Sequence, residues 1–368
     1  MSARYMYIDD QPDKAGGIEA GLSATDYLKV KLFPAETWSK QIQTIFESRK
    51  DFNGLLLDLQ LRIPEGELMY DAPALAQQLR NLAKEGKLED WPIILCTTDD
   101  LFLQMYDKST NDDLFDRIFY KENWSPSVCK RDLLEFESLA IGYDRIKAAI
   151  RDNLGIAGLL NSDSKAIITQ VADKLPEAKT VHSIAAFLLK QLVIKPGLLI
   201  DEDILAIRLG VDAQKSDWEA LKATFDSFRY KGVFSDGWSR WWIGDIMKWW
   251  RQISEGGSLR NSKAEDKVKL LQQVTKITNI TPIAIPDHHS QSSFWYKCNI
   301  TKTPLNSDDG ILIKGQDKNF DWQDKEYISM YHIWTAASKK KEDEILNKVS
   351  STDADKIKDI FGLKRKSI

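Results

Sequence analysis

Five short apolar runs lie within the first 121 residues, and four of them run into side chains that carry chemistry. YMYI (5–8) is followed by Asp9-Asp10, GLLLDL (54–59) contains Asp58, PIILCTT (92–98) contains Thr97, and RIFYK (117–121) ends on Lys121; LKVKLF (28–33) stops at Pro34. Continuous apolar runs of this length suit strands of a parallel sheet covered on both faces. Between them, 37–50 and 72–86 repeat apolar positions at helical spacing, the second closing on Gly86, and 16–25 predicts a weaker, glycine-bearing first helix. Strand–helix alternation over about 125 residues predicts a doubly wound α/β domain of flavodoxin-like order. In such sheets reactive groups gather at the carboxyl ends of the strands.

That rule places Asp9, Asp10, Asp58, Thr97 and Lys121 at one edge. Clustered carboxylates repel one another unless they share a hard divalent cation such as Mg²⁺. A hydroxyl and an ammonium opposite can then hold the oxygens of a phosphoryl group. The acidic pair, acceptor Asp, Thr and Lys, in this order, resemble the receiver domain of two-component response regulators. The resemblance implies that Asp58 accepts a phosphoryl group from a partner histidine kinase and that Asp9, Asp10, Asp58 and the backbone carbonyl of Gln60 bind Mg²⁺. It further implies that Thr97 hydrogen-bonds the new phosphoryl oxygen and that Lys121 pairs with it. The alternative is a receiver that keeps the fold only as a docking module. Three features depart from the family pattern: Glu122 where Pro usually follows the Lys, Ile118 where an aromatic residue is usual, and a long loop (59–71) after Asp58.

Composition bounds the rest. A chain of 368 residues has room for two or three domains. No apolar run reaches the ~18 residues of a membrane span, and the N-terminus does not read as a signal peptide. The three cysteines, Cys96, Cys129 and Cys298, lack metal or disulfide spacing, so a reducing cytoplasm is expected. Residues 1–125 hold about 14 Lys/Arg against about 22 Asp/Glu, which disfavours nonspecific nucleic-acid binding there; residues 181–285 are near neutral, at about 15 against about 12.

A helical connector is expected over 126–180. Beyond it, 183–195, 201–211 and 218–231 read as helices, the last opened by a Ser216…Glu219 capping box. Asp236-Gly237 between two apolar runs then signals a hairpin. Three helices and a hairpin is the order of a winged helix, expected over 181–285. Arg229, Lys231 and Arg240 are candidate DNA contacts, but Asp217, Glu219 and Asp226 on the recognition-position helix would repel phosphates. Six of the twelve tryptophans fall between Trp218 and Trp250, and Trp241 and Trp242 among them are either a partner-binding surface or a core.

The remainder reads as a small β-rich module (286–337) and a charged, solvated helical tail (338–368). His288-His289 lacks neighbouring ligands in metal spacing and reads as a polar loop. The expected whole is an α/β flavodoxin-like receiver domain (1–125), a mainly helical winged-helix-like output region, and a small β-rich C-terminal module. The expected function is that of a response-regulator-like signalling protein whose output is a protein-interaction adaptor or, alternatively, a phosphorylation-controlled DNA-binding transcription regulator. The sequence leaves the oligomeric state open, a homodimer included, and predicts no membrane contact and no enzymatic activity beyond receiver self-phosphorylation and dephosphorylation.

Overall fold

The computed structural model describes residues 3–24, 28–62, 70–98, 100, 102, 113–123, 130–287, 289–337, 346–351, 353 and 357. They form two compact units, the first comprising Met1–Lys190 with Lys231–Trp238, the second Gln191–Tyr230 with Ser239–Ile368.

In the first unit the chain runs β1 (Ala3–Asp9), α1 (Pro12–Leu22), β2 (Leu28–Pro34), α2 (Trp38–Glu47) and β3 (Gly54–Asp58). A two-stranded ribbon follows, β4 (Gln60–Leu61) with β5 (Tyr70–Asp71), then α3 (Ala72–Lys84), β6 (Ile93–Thr97) and β7 (Arg117–Tyr120). The sheet order is β2-β1-β3-β6-β7 with every pair parallel, the flavodoxin-like order expected. All residues of β3 and β6 are buried, which is why those runs are apolar throughout. The first helix begins at Pro12, four residues before the expected start, because proline's fixed φ and missing N–H suit a helix's first turn. Gly54 is required: a Cβ there would lie 2.3 Å from the ring of Tyr5. The Tyr5 hydroxyl in turn donates to the carbonyl of Phe136, 2.6 Å away.

Phe136 belongs to α4 (Lys130–Arg151), which is followed by α5 (Gly155–Leu160), α6 (Lys165–Ala172) and α7 (Val181–Phe187). At the amino-terminal ends of β6 and β7 a buried polar network joins the sheet to α4 and α7. Arg80 pairs with Asp90 (2.6 Å) and Asp116 (3.0 Å), and Asp116 also accepts from the Tyr143 hydroxyl at 2.7 Å. His182 meets that hydroxyl through Nδ1 (2.7 Å) and the Asp113 carbonyl through Nε2 (2.6 Å), while its backbone N–H donates to Asp90. Burial would push the Asp116 carboxyl up, but His182, Arg80 and Tyr143 hold it well below the usual carboxylate range.

The second unit contains β8 (Leu199–Ile200), α8 (Glu202–Leu209), α9 (Trp218–Ala223), β9 (Trp241–Trp242), α10 (Ile243–Ile253) and α11 (Ala264–Thr275). Strands β8 and β9 pair antiparallel, Arg229 bridges Trp241, and the Tyr230 N–H donates to the Arg240 carbonyl. Helices and short strands alternate here, and three sequence expectations fail. The expected 218–231 helix stops at Ala223 and resumes only as a 3₁₀ turn at Asp226–Phe228. No capping box forms, because the Ser216 hydroxyl donates to the Asp212 carbonyl and accepts from the Thr281 N–H.

Nor is Asp236-Gly237 a two-residue hairpin tip. It lies in Lys231–Trp238, which packs into the first unit. There Phe234 takes a left-handed φ of 68° and lays its ring against Gly142, where a Cβ would come within 2.3 Å; the Val233 N–H donates to the Leu159 carbonyl.

Two antiparallel ribbons follow in the second unit, β10 (Tyr296–Lys297) with β11 (Pro304–Leu305) and β12 (Gly310–Leu312) with β13 (Tyr327–Ser329). The run expected to be strand over 326–334 turns helical at α12 (Met330–Ala337). Part of the tail is not solvated: Val349 and Ile357 are buried with Cys298, Leu305 and Ile311, and Val349 bridges Ile313. The other tail residues lie largely outside the described set, as do Cys129 and His288; Cys96 and Cys298 are free and buried. Among the described residues no helix is long and apolar enough to cross a membrane.

The second unit also buries Lys267 completely, its ammonium donating to the Arg208 carbonyl at 2.7 Å. Burial, and then the Arg208 charge, bring it down from 10.5 to about 7. Between those values the unfolded chain holds a proton that the folded one lacks, so raising the pH favours the folded form. Urea unfolding is expected to show stability rising from pH 7 towards about pH 10, and Lys267→Met is expected to flatten that slope relative to wild type.

Candidate functional site

The parallel register decides which side chains meet. Asp9 ends β1, Asp58 ends β3 opposite Cys96 of β6, Thr97 ends β6 opposite Tyr120 of β7, and Lys121 begins the 3₁₀ turn that follows β7. One carboxylate oxygen each from Asp9, Asp10 and Asp58 lies within 4.8 Å of the others. The Lys121 ammonium stands among them, donating to Asp9 Oδ2 at 2.8 Å and to Asp58 Oδ1 at 2.7 Å.

The two carboxylates that share this ammonium differ in environment. Burial raises both, but Asp9 has further donors in the Tyr7 hydroxyl (2.6 Å) and the Gln11 N–H (2.8 Å). With Lys121 these hold Asp9 below its ordinary value. At Asp58, burial prevails over Lys121, and the negative charges of Asp9 and Asp10 add to it, raising the carboxyl to about 6. Lys121 is pushed up by the two carboxylates against the effect of burial and stays charged. Cys96, packed beside them, is kept a neutral thiol by burial.

The other expected site residues are less directly engaged. Thr97 is buried at the same edge, with its hydroxyl turned to the Thr98 carbonyl at 3.2 Å. Gln60 lies two residues past Asp58 in β4, its side chain accepting from Arg62. Ile118 packs into the apolar layer on one face of the sheet, whereas Phe119 meets Phe136 of α4 on the other, at 5.8 Å between centroids. Tyr120 sits edge-on to Phe102. Tyr7 was not singled out from the sequence, although its place two residues before Asp9 puts both on one face of the strand.

The expected partner-binding residues divide. Trp241 and Trp242 are buried, Trp241 in the main core with Trp218 and Trp250, so neither forms a binding surface. Arg240 is buried too, donating to the Val193 and Ser239 carbonyls, and is a structural residue rather than a DNA contact. Arg229 and Lys231 are exposed, Arg229 lying near Asp226 and bonded to Ser239. Lys222 on α9 is held by Glu202 and Glu219.

An all-oxygen, anionic donor set of this kind fits a hard divalent cation such as Mg²⁺, with Asp9, Asp10 and Asp58 as its holders. Adding Mg²⁺ is expected to raise the unfolding free energy read from urea curves, by about 1.4 kcal/mol when the ion stands at ten times its dissociation constant. Asp9→Asn is expected to remove that increment.

No family model matches the sequence, and no curated protein matches it. Among solved structures, the isolated receiver domain of RcsB from Salmonella enterica serovar Typhimurium, with the phosphomimetic BeF₃⁻, aligns at 18% identity over 41% of this chain and 90% of that one, with a TM-score of 0.27. The response regulator ChrA of a haem-sensing two-component system aligns at 17% identity over 52% of this chain and 99% of that one, with a TM-score of 0.27. RcsB of the same Salmonella bound to promoter DNA aligns at 15% identity over 76% of this chain and 100% of that one, with a TM-score of 0.26. These similarities are too slight to identify the chain, and what the site can do rests on its own atoms.

Proposed function

We propose that this is a response-regulator-like signalling protein in which Asp58 accepts a phosphoryl group from a partner histidine kinase. The observation that carries the reading is the convergence of Asp9, Asp10 and Asp58 on one point with Lys121 bonded to two of them. A carboxylate oxygen of Asp58 attacks the phosphorus of a phosphoimidazole. The P–O bond forms as the P–N bond breaks, and the electron pair returns to the imidazole nitrogen, which takes up a proton. Mg²⁺, held by Asp9, Asp10, Asp58 and the Gln60 carbonyl, would offset the charge of the transferring group. In this reading Lys121, which donates to Asp58, pairs with a phosphoryl oxygen once Asp58 is an acyl phosphate, and the Thr97 hydroxyl at the same edge hydrogen-bonds that group.

For the output we propose a protein-interaction adaptor rather than a DNA-binding regulator. Its basic residues are largely committed: Arg240 is buried, Lys222 is neutralised by two glutamates, and α9 has only six residues. The winged-helix-like order of elements remains the support for a DNA-binding alternative. We place the protein in the cytoplasm, its free, buried cysteines suiting a reducing compartment.

Acetyl phosphate with Mg²⁺ is expected to add a single alkali- and hydroxylamine-labile phosphoryl group, seen as one mass increment. Asp58→Asn should abolish it and Lys121→Met should slow it; labelling that persists in Asp58→Asn refutes the assignment. Duplex DNA is expected not to bind in fluorescence anisotropy at about 50 mM salt, where a phosphate-contacting protein binds tightly. Saturable binding lost in Arg229→Glu/Lys231→Glu would favour the DNA-binding alternative instead.

A further inference from the structure

The second unit contains a cleft of about 380 Å³ that the receiver chemistry leaves unused. Ligand clefts commonly enclose roughly 300–1,000 Å³. Ile194, Pro196 and Ile204 give it apolar wall, and Lys195, Lys297, Lys302 and Lys325 line it against the carboxylates of Asp324 and Glu326. The lysines outnumber those carboxylates, and one of the two has its own cationic partner. Asp324 is bonded to the buried Arg208, and Glu326 accepts from the Asn299 amide at 2.8 Å. Of the lysines, Lys297 is paired outward with Asp203, whereas exposed Lys325 has no hydrogen-bond or ion-pair partner among the described residues.

Two guanidinium groups back the Trp295–Tyr296 part of the lining. The Arg208 guanidinium lies 4.1 Å from the centre of the Trp295 ring, and its Nε donates to the Trp295 carbonyl. Arg260 flanks both Trp295 and Tyr296. These charges add to the positive potential of a concave, lysine-lined surface, in a chain whose net charge is −4. An anion bound there would supply the countercharge that the protein itself omits, and the apolar wall would accept an uncharged body attached to it.

We propose that this cleft is a binding site for a phosphate-bearing small molecule of nucleotide size. Lys302 and Lys325 meet the phosphates at the exposed side, and Ile194, Pro196 and Ile204 cover the less polar part of the ligand. The site is independent of Asp58 and of any metal.

Isothermal titration calorimetry of the full chain in EDTA, which denies the carboxylate edge its metal, tests this with ATP and with pyrophosphate. Saturable binding that weakens as salt is added is expected, with affinity falling about tenfold or more in Lys302→Glu/Lys325→Glu. Both positions are exposed, so circular dichroism is expected to show that variant folded. Lys40→Glu, on an exposed face of the first unit, should bind as wild type does. Pyrophosphate equal to ATP would support a site reading phosphates alone, and tighter ATP a site using its apolar wall as well. Absence of saturable binding by either probe, or unchanged affinity in the double variant, overturns the proposal.

Discussion

Two carboxylates share a single ammonium at the carboxyl edge of the sheet, and the arrangement of the first unit follows from keeping them together. Parallel pairing of β1, β3, β6 and β7 brings Asp9, Asp58 and Lys121 to one edge although they are separated by up to 112 residues in sequence. The sheet beneath is apolar and buried on both faces, so the charges have little choice of position. Their mutual repulsion is relieved locally, by Lys121 at both carboxylates and by Tyr7 and Gln11 at Asp9. The asymmetry leaves Asp58 as the carboxyl less well compensated.

Much of this was legible in the residues. Continuous apolar runs located the strands to within a residue or two, and the polar residue closing each run located the edge. What the sequence conceals is partnership at long range. Asp236-Gly237 has strong local turn chemistry, but Phe234 finds a notch at Gly142, about ninety residues earlier, and tertiary packing overrides the turn. Ser216 and Glu219 have the spacing of a cap, yet Ser216 is engaged by Asp212 and Thr281. The tryptophan cluster could be read either way from composition; only the fold shows Trp241 and Trp250 enclosed with Trp218. Val349 looked like part of a charged tail because burial of a single apolar residue leaves no periodic signal.

The second unit distributes its charge differently. The first gathers acidic groups at an edge and answers them with one lysine. The second buries Arg208 with Asp324 as its partner and sets beside it Lys267, which burial brings down to about 7. An ammonium that gives up its proton more readily lowers the cost of lying in the interior near a second cation. The two units therefore present opposite electrostatic characters at their most polar places.

The network of Arg80, Asp90, Asp116, Tyr143 and His182 has a practical corollary. Severing the chain after the last sheet strand would strip Asp116 of Tyr143 and His182, deprive Asp90 of its backbone donor, and take the Phe136 carbonyl from Tyr5. The excised fragment would keep Arg80 against Asp90 and Asp116 but would uncover both carboxylates and the Tyr5 phenol where α4 and α7 had covered them. A freestanding version of the sheet therefore has to retain α4 through α7, so any expression boundary belongs beyond His182.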